Sequence, residues 1–218
     1  MHMLKCREII EATNGKLISG YTETVFKGIC TDSRKINEGD LFIPIVGSNF
    51  DGHDFIDAAL QGGALGTVTD REISIAGDVV VIKVENTTRA LGEIAAYYRQ
   101  KFRIPFVGIT GSVGKTSTKD MIASVLEQEF NVLKTEGNFN NEIGLPMTLF
   151  KLETNHEAAV IEMGMSNFGE ISRLSLISRP DIAVITNIGM SHIEKLGSRQ
   201  NILKAKMEIL EGLNKNGL

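Results

Sequence analysis

One short segment constrains the fold of this chain more than any other. The sequence TGSVGKTS at 110–117 lies between an apolar stretch at 105–110, which predicts a buried strand, and a predicted helix that begins near Gly114. Glycines in such a loop let backbone N–H groups converge on an anion, and the N-terminus of the helix adds a favourable dipole. The segment therefore predicts a strand–loop–helix unit that binds phosphate.

Each residue type in this loop has a use in phosphate binding. Lys115 is placed to reach the β- and γ-phosphates of a nucleotide, and the hydroxyl of Thr116 can ligate Mg²⁺. The full motif has a glycine where this chain has Ile109, so a plain glycine-rich turn stays open as an alternative. The candidate phosphate-binding residues are Gly111, Ser112, Val113, Gly114, Lys115, Thr116 and Ser117.

The second half of the chain alternates regularly between predicted strands and helices. The strands are apolar almost throughout, which indicates burial on both faces, as in a parallel sheet covered by helices. Strands are predicted at 105–110, 131–135, 157–162 and 181–187, and helices near Gly114, after Pro146, at 169–177 and at 199–214. We therefore expect residues 104–218 to form a parallel-sheet domain that carries the phosphate loop.

The first half has a different pattern, with short apolar runs separated by Gly, Asp and Asn. These runs predict short strands, and three stretches with helical spacing predict helices. The runs lie at 25–30, 41–46, 65–69 and 79–84, and the helices at 4–13, 53–62 and 88–102. The predicted fold class is therefore α/β, with a small mixed α/β domain at 1–103 followed by the parallel-sheet domain.

Composition limits the environment and the partners of the chain. The 218 residues carry a net charge of −4, which disfavours nucleic acid as a partner. No apolar run approaches the roughly 20 residues of a membrane span, and we expect no secretory signal. Cys6 and Cys30 are too few for a disulfide framework and suit a reducing cytosol, so we expect a cytoplasmic protein without a membrane partner.

Two side chains at predicted strand ends are candidates for a metal site. Glu162 ends the third predicted strand of the second half, and His192 follows the fourth. Because the carboxyl ends of parallel strands lie on one edge of a sheet, we expect both to lie close to Lys115 and Thr116. A solvated glutamate and a surface histidine stay open as alternatives.

Lys206 falls on the apolar face of the last predicted helix. The apolar stripe consists of Ile202, Ile209, Leu210 and Leu213, and the solvated face of Lys204, Glu208, Glu211 and Lys215. Burial would lower the pKa of Lys206 and favour its neutral amine, which can react with CO₂ to give a carbamate near Mg²⁺. A lysine that extends its ammonium group to solvent stays open as the alternative.

Three polar loops complete the candidate binding segments. The asparagines of GNFNNEIGLP, namely Asn138, Asn140 and Asn141, can hydrogen-bond a sugar, base or phosphate, or can cap the helix that follows. The segments 31–34 and 47–55 contain glycines and polar donors. Their pattern alone does not separate ligand binding from turn formation.

Taken together, these segments resemble the Mur ligase family of peptidoglycan synthesis. TDSRKINEGDLFIPIVG and DGHDFIDAALQGGA resemble the uridine-nucleotide domain of that family. GITGSVGKTSTKD resembles its shortened phosphate loop, which lacks the first glycine. The segments GNFNNEIGLP, EMGMSNFGEI and ITNIGMSHIEKLGS are most similar to the branch that joins D-Ala-D-Ala to UDP-N-acetylmuramoyl-tripeptide. The resemblance extends over nearly the whole chain.

The resemblance implies a role for each matched residue. The loop 111–117 would bind the phosphates of ATP, with Lys115 as a catalytic residue, and Thr116 and Glu162 would hold Mg²⁺. His192 would help to hold a second ion, and Lys206 matches the carbamylated lysine of the family. The uridine nucleotide would lie near Asp32, Ser33, Arg34, Gly47, Asp51, Gly52 and His53. Asn138 and Asn141 would face the nucleotide or the muramoyl substrate.

The resemblance also implies a reaction and its limits. A substrate carboxylate would become an acyl phosphate at the expense of ATP, and the amine of D-Ala-D-Ala would then attack it. Family members are longer and have a third domain that closes over ATP, so we expect little or no ligase turnover from this chain alone, and a monomer. The alternatives are another amide ligase of the superfamily, such as a folylpolyglutamate-type enzyme, and a nucleotide-binding protein without catalysis.

Overall fold

The computed structural model describes residues 3–75 and 77–218, which divide into two compact units. Unit 1 extends to Tyr97, and unit 2 runs from Tyr98 to Leu218. Unit 1 is built around a mixed sheet and unit 2 around a parallel sheet, which confirms the α/β fold class predicted from the sequence.

Unit 1 consists of short strands with helices between them. Its strands are β1 (Leu4–Lys5), β2 (Lys16–Ser19), β3 (Val25–Phe26), β4 (Gly28–Cys30), β5 (Asp40–Phe42), β6 (Gly66–Thr69) and β7 (Val80–Lys83). Its helices are α1 (Cys6–Thr13), α2 (Ile56–Gln61) and α3 (Thr87–Arg99), and short 3₁₀ helices lie at Ser33–Lys35 and Gly52–Phe55. α3 continues beyond the end of unit 1.

The main sheet of unit 1 has the order β2-β7-β6-β5-β4. β4 to β7 pair in parallel, while β2 joins β7 antiparallel, and β1 and β3 form a separate antiparallel pair. Because β4, β5 and β6 run in the same direction, the loops that follow them leave from one edge of the sheet. That edge receives the two polar segments 31–34 and 47–55.

Unit 1 departs from the sequence prediction in several elements. The run 41–46 is a strand only to Phe42, because Pro44 has no N–H group with which to continue the ladder. The run 25–30 divides between β3 and β4, which belong to different sheets. The helix predicted at 53–62 starts as the 3₁₀ helix and becomes α-helical at Ile56, and the helix predicted at 88–102 is α3, which ends at Arg99. β1 and β2 are short and were not predicted.

Unit 2 alternates strands and helices as the sequence predicted. Its strands are β8 (Phe106–Thr110), β9 (Val132–Lys134), β10 (Ala158–Glu162) and β11 (Ile182–Ile185). Its helices are α4 (Lys115–Leu126), α5 (Gly144–Leu149), α6 (Glu170–Ser178), α7 (Ile193–Leu196) and α8 (Arg199–Met207). The strands are all parallel in the order β11-β8-β10-β9.

Burial in this sheet differs between the central and the outer strands. Every residue of β8 and of β10 is buried, which is the pattern predicted from their apolar sequences. The same prediction was wrong for β11, where Ile182 is 37% exposed and the other residues are partly buried. β11 is one of the two outer strands, and beyond it the backbone of Leu218 pairs with Asp181 and Ala183. Its apolar sequence therefore lies at the margin of the sheet.

The helix predicted at 199–214 is also interrupted. α8 ends at Met207, and a 3₁₀ helix continues over Glu208–Glu211. A 3₁₀ helix has three residues per turn, so residues beyond the change are rotated away from the predicted stripe. Leu210 is consequently 46% exposed, whereas Ile209 is fully buried. The prediction that Glu208 is solvated was likewise wrong, because its carboxylate accepts hydrogen bonds from backbone N–H groups at the start of α6.

Candidate functional site

The phosphate loop is built from the end of β8 and the start of α4. Gly111 follows β8, and Gly114 precedes Lys115 in a left-handed conformation with φ of 79°. That conformation favours glycine, and it leads the chain into the first turn of α4. At Gly111 a Cβ atom would overlap the hydroxyl of Thr186. The loop therefore depends on a glycine at both positions.

Residues that follow β11 hold this loop from one side. The hydroxyl of Thr186 donates to the carbonyl oxygen of Val113 at 2.7 Å, and the Val113 N–H donates to Asn187 Oδ1 at 3.2 Å. The hydroxyl of Ser112 accepts a hydrogen bond from the backbone N–H of Gly189 at 2.9 Å. The segments after β8 and after β11 are therefore directly bonded to each other.

The strand order places these two segments where α/β proteins commonly bind ligands. β8 and β11 are neighbours, yet the chain leaves β8 for β9 and β10 on one side and reaches β11 only later on the other. A crevice opens at the carboxyl ends of strands at such a topological switch point. The N-terminus of α4 points into the same region and favours an anion there.

Two lysines bring positive charge to the loop. Lys115 is half-buried, and its Nζ donates to the carbonyl oxygen of Gly111 at 3.0 Å. Lys206 on α8 is only 2% exposed, which contradicts the alternative of a lysine that extends its ammonium group to solvent. Burial lowers the pKa of Lys206 to about 8, and the charge of Lys115 contributes to the same shift. Lys206 is therefore easily converted to a neutral amine.

Glu162 and Thr116 meet at the same edge of the sheet. Glu162 ends β10 and is 2% exposed, and its Oε2 accepts a hydrogen bond from the Thr116 hydroxyl at 2.9 Å. Its Oε1 accepts one from Asn140 Nδ2 at 2.8 Å, and its backbone N–H donates to the Thr135 hydroxyl at 2.9 Å. The glutamate is thus held at its backbone and at both carboxylate oxygens.

This pair fits a magnesium ion chemically. Mg²⁺ prefers hard oxygen ligands and usually combines one or two carboxylates with phosphate oxygens and water. Thr116 and Glu162 supply a hydroxyl and a carboxylate next to the phosphate loop. Across residues 3–75 and 77–218, no group of three or more His, Cys, Asp or Glu side chains is arranged to hold a metal ion. An ion at this site would therefore take the rest of its ligands from the nucleotide and from water.

His192 has a different setting from the other expected metal ligands. It lies at the N-terminus of α7 in a left-handed conformation with φ of 63°, and it is exposed. The neighbouring Ser191 hydroxyl donates to the carbonyl oxygen of Ser112 at 3.1 Å. The segment that carries His192 is therefore attached to the phosphate loop through Ser191.

The asparagines after β9 divide between two tasks. Asn141 Oδ1 accepts hydrogen bonds from the backbone N–H groups of Ile143 and Gly144 at the start of α5, which is the capping alternative considered from the sequence. Asn138 is exposed, while Asn140 bonds to Glu162. The structure thus brings Asn140, rather than the predicted Asn138 or Asn141, into contact with the candidate metal ligand.

Sequence reasoning missed two residues of this region, Lys119 and Thr135. Lys119, on α4, is 3% exposed and its Nζ donates to the carbonyl oxygen of Thr135 at 2.7 Å. Thr135 bonds to Glu162, as does Asn140 from the GNFNNEIGLP segment, and Asn187 from the ITNIGMSHIEKLGS segment bonds to the phosphate loop. All of them lie in or beside predicted motifs, but nothing in a single sequence separates them from neighbouring polar residues.

The candidate nucleotide segment 31–34 in unit 1 is a tight, charged turn. Asp32 accepts hydrogen bonds from Nε and Nη2 of Arg34, at 2.8 and 2.9 Å, and from the backbone N–H of Arg34. The Arg34 side chain holds the pKa of Asp32 at about 2. Ser33 lies between them in the 3₁₀ helix that follows β4. The turn therefore presents a charged pair at the carboxyl edge of the sheet.

The second candidate segment is closed by hydrogen bonds and by a buried histidine. The Gly47 N–H donates to Phe50 O at 2.9 Å, and the Gly52 N–H donates to Ile45 O at 3.0 Å. The side chain of His53 is 4% exposed, with its Nδ1 2.7 Å from Asp51 Oδ1. Backbone and side-chain hydrogen bonds from His53 hold the pKa of Asp51 at about 2.

The same histidine also lies close to the residue that follows β6. Its Nε2 lies 3.0 Å from Asp70 Oδ1, just after β6, although without hydrogen-bond geometry. Arg71 forms an ion pair with Asp51. His53 therefore lies between two carboxylates and supports this loop from inside. The residues beside it, rather than His53 itself, are exposed to a ligand.

In the part of the chain that the structure describes, no helix is long and apolar enough to cross a membrane.

Comparison with known proteins groups this chain with one family over most of its length. The Mur ligase middle domain matches residues 109–218, and the model described as "Mur ligase family, catalytic domain" matches residues 25–99. The UDP-N-acetylmuramoyl-tripeptide–D-alanyl-D-alanine ligase of Bacillus subtilis (strain 168) is 46% identical over 97% of this chain and 47% of its own length. The same-named enzyme of Escherichia coli (strain K12) is 40% identical over 97% of this chain and 46% of its own length.

Solved structures agree with these sequence matches. A crystal structure of MurF from Acinetobacter baumannii matches with a TM-score of 0.93 at 35% identity, covering 100% of this chain and 48% of that protein. MurF ligase from Thermotoga maritima in complex with ADP matches with a TM-score of 0.81 at 37% identity, covering 87% of this chain and 44% of that protein. The chain therefore spans about half the length of the relatives that it matches.

Proposed function

The chain belongs to the Mur ligase family, and from that premise we propose that it carries the nucleotide sites of the ligase that joins D-Ala-D-Ala to UDP-N-acetylmuramoyl-tripeptide. The observation that carries the proposal is the arrangement at the switch point of unit 2. There Lys115, Thr116 and the buried Glu162 converge on a phosphate loop at the N-terminus of α4. The similarity to MurF enzymes at 40 to 46% identity supports the choice of substrates.

In this proposal ATP binds through the loop that joins β8 to α4. Backbone N–H groups of residues 111–117 and the dipole of α4 receive the phosphates. Lys115 exchanges its contact with Gly111 for the β- and γ-phosphates. Asn138, exposed on a loop after β9, faces the nucleotide, while Asn141 contributes by capping α5.

Thr116 and Glu162 would hold Mg²⁺, with His192 helping to hold a second ion. Bound there, the metal would neutralise the negative charge that repels an incoming carboxylate. The parts that this chain itself supplies are the buried carboxylate of Glu162, the hydroxyl of Thr116 and the ammonium of Lys115. These groups bind and orient the phosphates, and no protein nucleophile is required for phosphoryl transfer.

Lys206 would act in this site as a carbamate. Its burial and lowered pKa, about 8, favour the neutral amine. The ammonium first loses one proton, and the nitrogen of the resulting amine then forms a bond to the carbon of CO₂ and releases a second proton, which leaves an anion on a side chain that was cationic. A carbamate beside Lys115 would replace a repulsion between two ammonium groups with an attraction.

The proposed reaction has two steps. The terminal carboxylate of UDP-N-acetylmuramoyl-tripeptide attacks the γ-phosphorus of ATP, which gives an acyl phosphate and ADP. The amine of D-Ala-D-Ala then attacks the acyl carbon, phosphate leaves with the C–O bond electrons, and the amine loses a proton. Lys115 stabilises charge on the transferred phosphoryl group in the first step.

Unit 1 would bind the uridine nucleotide at the carboxyl edge of its sheet. The proposed contacts come from the turn at 31–34 and from the loop closed by His53. They comprise Asp32, Ser33, Arg34, Gly47, Asp51, Gly52 and His53, the last acting as a support rather than as a direct contact. We further propose a cytoplasmic monomer that acts on small molecules, with neither nucleic acid nor membrane as a partner. The two free, buried cysteines are consistent with a reducing compartment.

The substrate assignment is tested by calorimetric titration of the 218-residue chain. We expect saturable binding of UDP-N-acetylmuramoyl-tripeptide and weaker binding of UDP-N-acetylmuramoyl-dipeptide.

A coupled assay with ATP and D-Ala-D-Ala is expected to give little or no ADP release, because the relatives are about twice as long. Preference for a folate or for the dipeptide would favour a different amide ligase of the superfamily, and turnover near that of a complete MurF enzyme would contradict the expectation for this chain.

A further inference from the structure

The carboxylate of Glu162 is buried without a basic partner. It is 2% exposed, and within the described residues 3–75 and 77–218 it forms no ion pair. Its hydrogen bonds come from neutral groups, the hydroxyl of Thr116 and the amide of Asn140. Burial of an ionised carboxylate is unfavourable unless charge or hydrogen bonds compensate for it. The arrangement therefore suits a carboxylate that receives a cation.

The backbone of Glu162 is fixed from behind. Its N–H donates to the Thr135 hydroxyl at 2.9 Å, and the carbonyl oxygen of Thr135 accepts a hydrogen bond from Lys119 at 2.7 Å. These contacts determine where the side chain begins but not how the carboxylate plane is turned. The last torsion of a glutamate side chain has broad minima, so an external donor must set it.

Asn140 is the donor that can set this angle. Its Nδ2 is 2.8 Å from Glu162 Oε1, and its backbone carbonyl oxygen accepts the N–H of Gly164 at 2.8 Å. Gly164 leaves room for this contact, since a Cβ atom there would lie 2.8 Å from Asn140 Oδ1. Asn140 is thus attached to the end of β10 by both its backbone and its side chain.

From these contacts we propose that Asn140 is a positioning residue for the metal ligand Glu162, an inference that rests on the proposed ATP- and Mg²⁺-dependent function. By holding Oε1, the amide of Asn140 turns Oε2 toward Thr116. A neutral amide suits this position, because it orients the carboxylate without competing for its charge. Removal of an outer partner of a metal ligand typically weakens metal affinity 10- to 100-fold.

The test uses Mn²⁺ as a spectroscopically visible substitute for Mg²⁺, with ADP as the nucleotide. Electron paramagnetic resonance measures the affinity for Mn²⁺ in the presence of ADP, and calorimetry measures ADP binding in EDTA. Asn140→Ala is expected to weaken Mn²⁺ binding at least about 10-fold and to leave ADP binding without metal unchanged. The exposed Asn155 provides the control Asn155→Ala, which is expected to match the wild type.

Gly164→Ala gives a second route to the same result, because its Cβ atom displaces the Asn140 side chain while keeping the amide in the sequence. Equal Mn²⁺ affinity in Asn140→Ala and the wild type overturns this inference alone. Loss of ADP affinity in EDTA to the same extent as Mn²⁺ affinity also overturns it, since that result indicates a purely structural role. Absence of Mn²⁺ binding in the wild-type ADP complex overturns the proposed metal site and this inference with it.

Discussion

At the scale of single residues, the sequence indicated which face of a helix is apolar, but it did not indicate which partner a polar side chain bonds to. Lys206 lies four residues after Ile202 and three before Ile209, so helical periodicity placed it on the apolar stripe but left open a side chain that reaches solvent, and the structure shows that it is buried. The choice among the asparagines after β9 was not predictable in the same way. Asn138 and Asn140 have the same side chain, and only the folded loop directs Asn140 to Glu162.

The buried lysine leads to a prediction about stability and pH. Burial lowers the pKa of Lys206 from 10.5 to about 8, so between these values the unfolded chain binds more protons than the folded chain. Stability should therefore rise with pH from about 8 to about 10.5, and at pH 7 the buried ammonium should lower it. Lys206→Met should raise the free energy of unfolding at pH 7 by on the order of 1–3 kcal/mol and remove that rise.

Urea denaturation in CO₂-free buffer measures this effect without interference from a carbamate. The exposed Lys204 lies on the same helix, so Lys204→Met is the matched control and should behave like the wild type. A Lys206→Met protein that is less stable than the wild type at pH 7, or a wild type whose stability does not rise above pH 8, would contradict the assignment.

At the scale of elements, the strand–helix alternation of unit 2 was predictable because β8 and β10 are apolar and buried throughout. The end of α8 was not, because the change to a 3₁₀ helix depends on packing against α6. There Glu208 accepts hydrogen bonds from the N–H groups of Gly169 and Ser172. Gly169 itself provides no side chain to cap α6, and Glu208 fulfils that task from another element.

This capping contact predicts a measurable contribution to folding. A carboxylate at a helix N-terminus is stabilised by hydrogen bonds and by the helix dipole. Glu208→Ala is expected to lower the free energy of unfolding by about 1 kcal/mol, and Glu208→Gln by less, because the amide oxygen can still accept a hydrogen bond. Urea denaturation with Glu129→Ala as control checks this, because Glu129 is exposed and lies beyond the end of α4 rather than at a helix N-terminus. Equal losses from Glu208→Ala and the control would show that the cap contributes nothing.

At the scale of the whole molecule, both units follow the same rule: polar loops collect at the carboxyl edge of parallel strands. That rule, applied to the sequence, predicted the meeting of Thr116 with Glu162. The rule also placed the loop after β11 at this edge, but it did not predict individual hydrogen bonds such as that of Val113 to Asn187, because these depend on the loop conformation. The family assignment joins these local results into one proposed function, whose first requirement is nucleotide binding by unit 2.

The most direct measurement is calorimetric titration of the chain with ADP in the presence of Mg²⁺, comparing the wild type with Lys115→Ala. The account predicts one ADP site in the wild type, loss of at least about 10-fold in affinity in Lys115→Ala from the missing charge-assisted phosphate contact, and no change in Lys204→Ala. Binding of UDP-N-acetylmuramoyl-tripeptide should be the same in all three proteins. Equal ADP affinity in the wild type and Lys115→Ala, or no ADP binding by the wild type, would contradict the assignment of the phosphate loop.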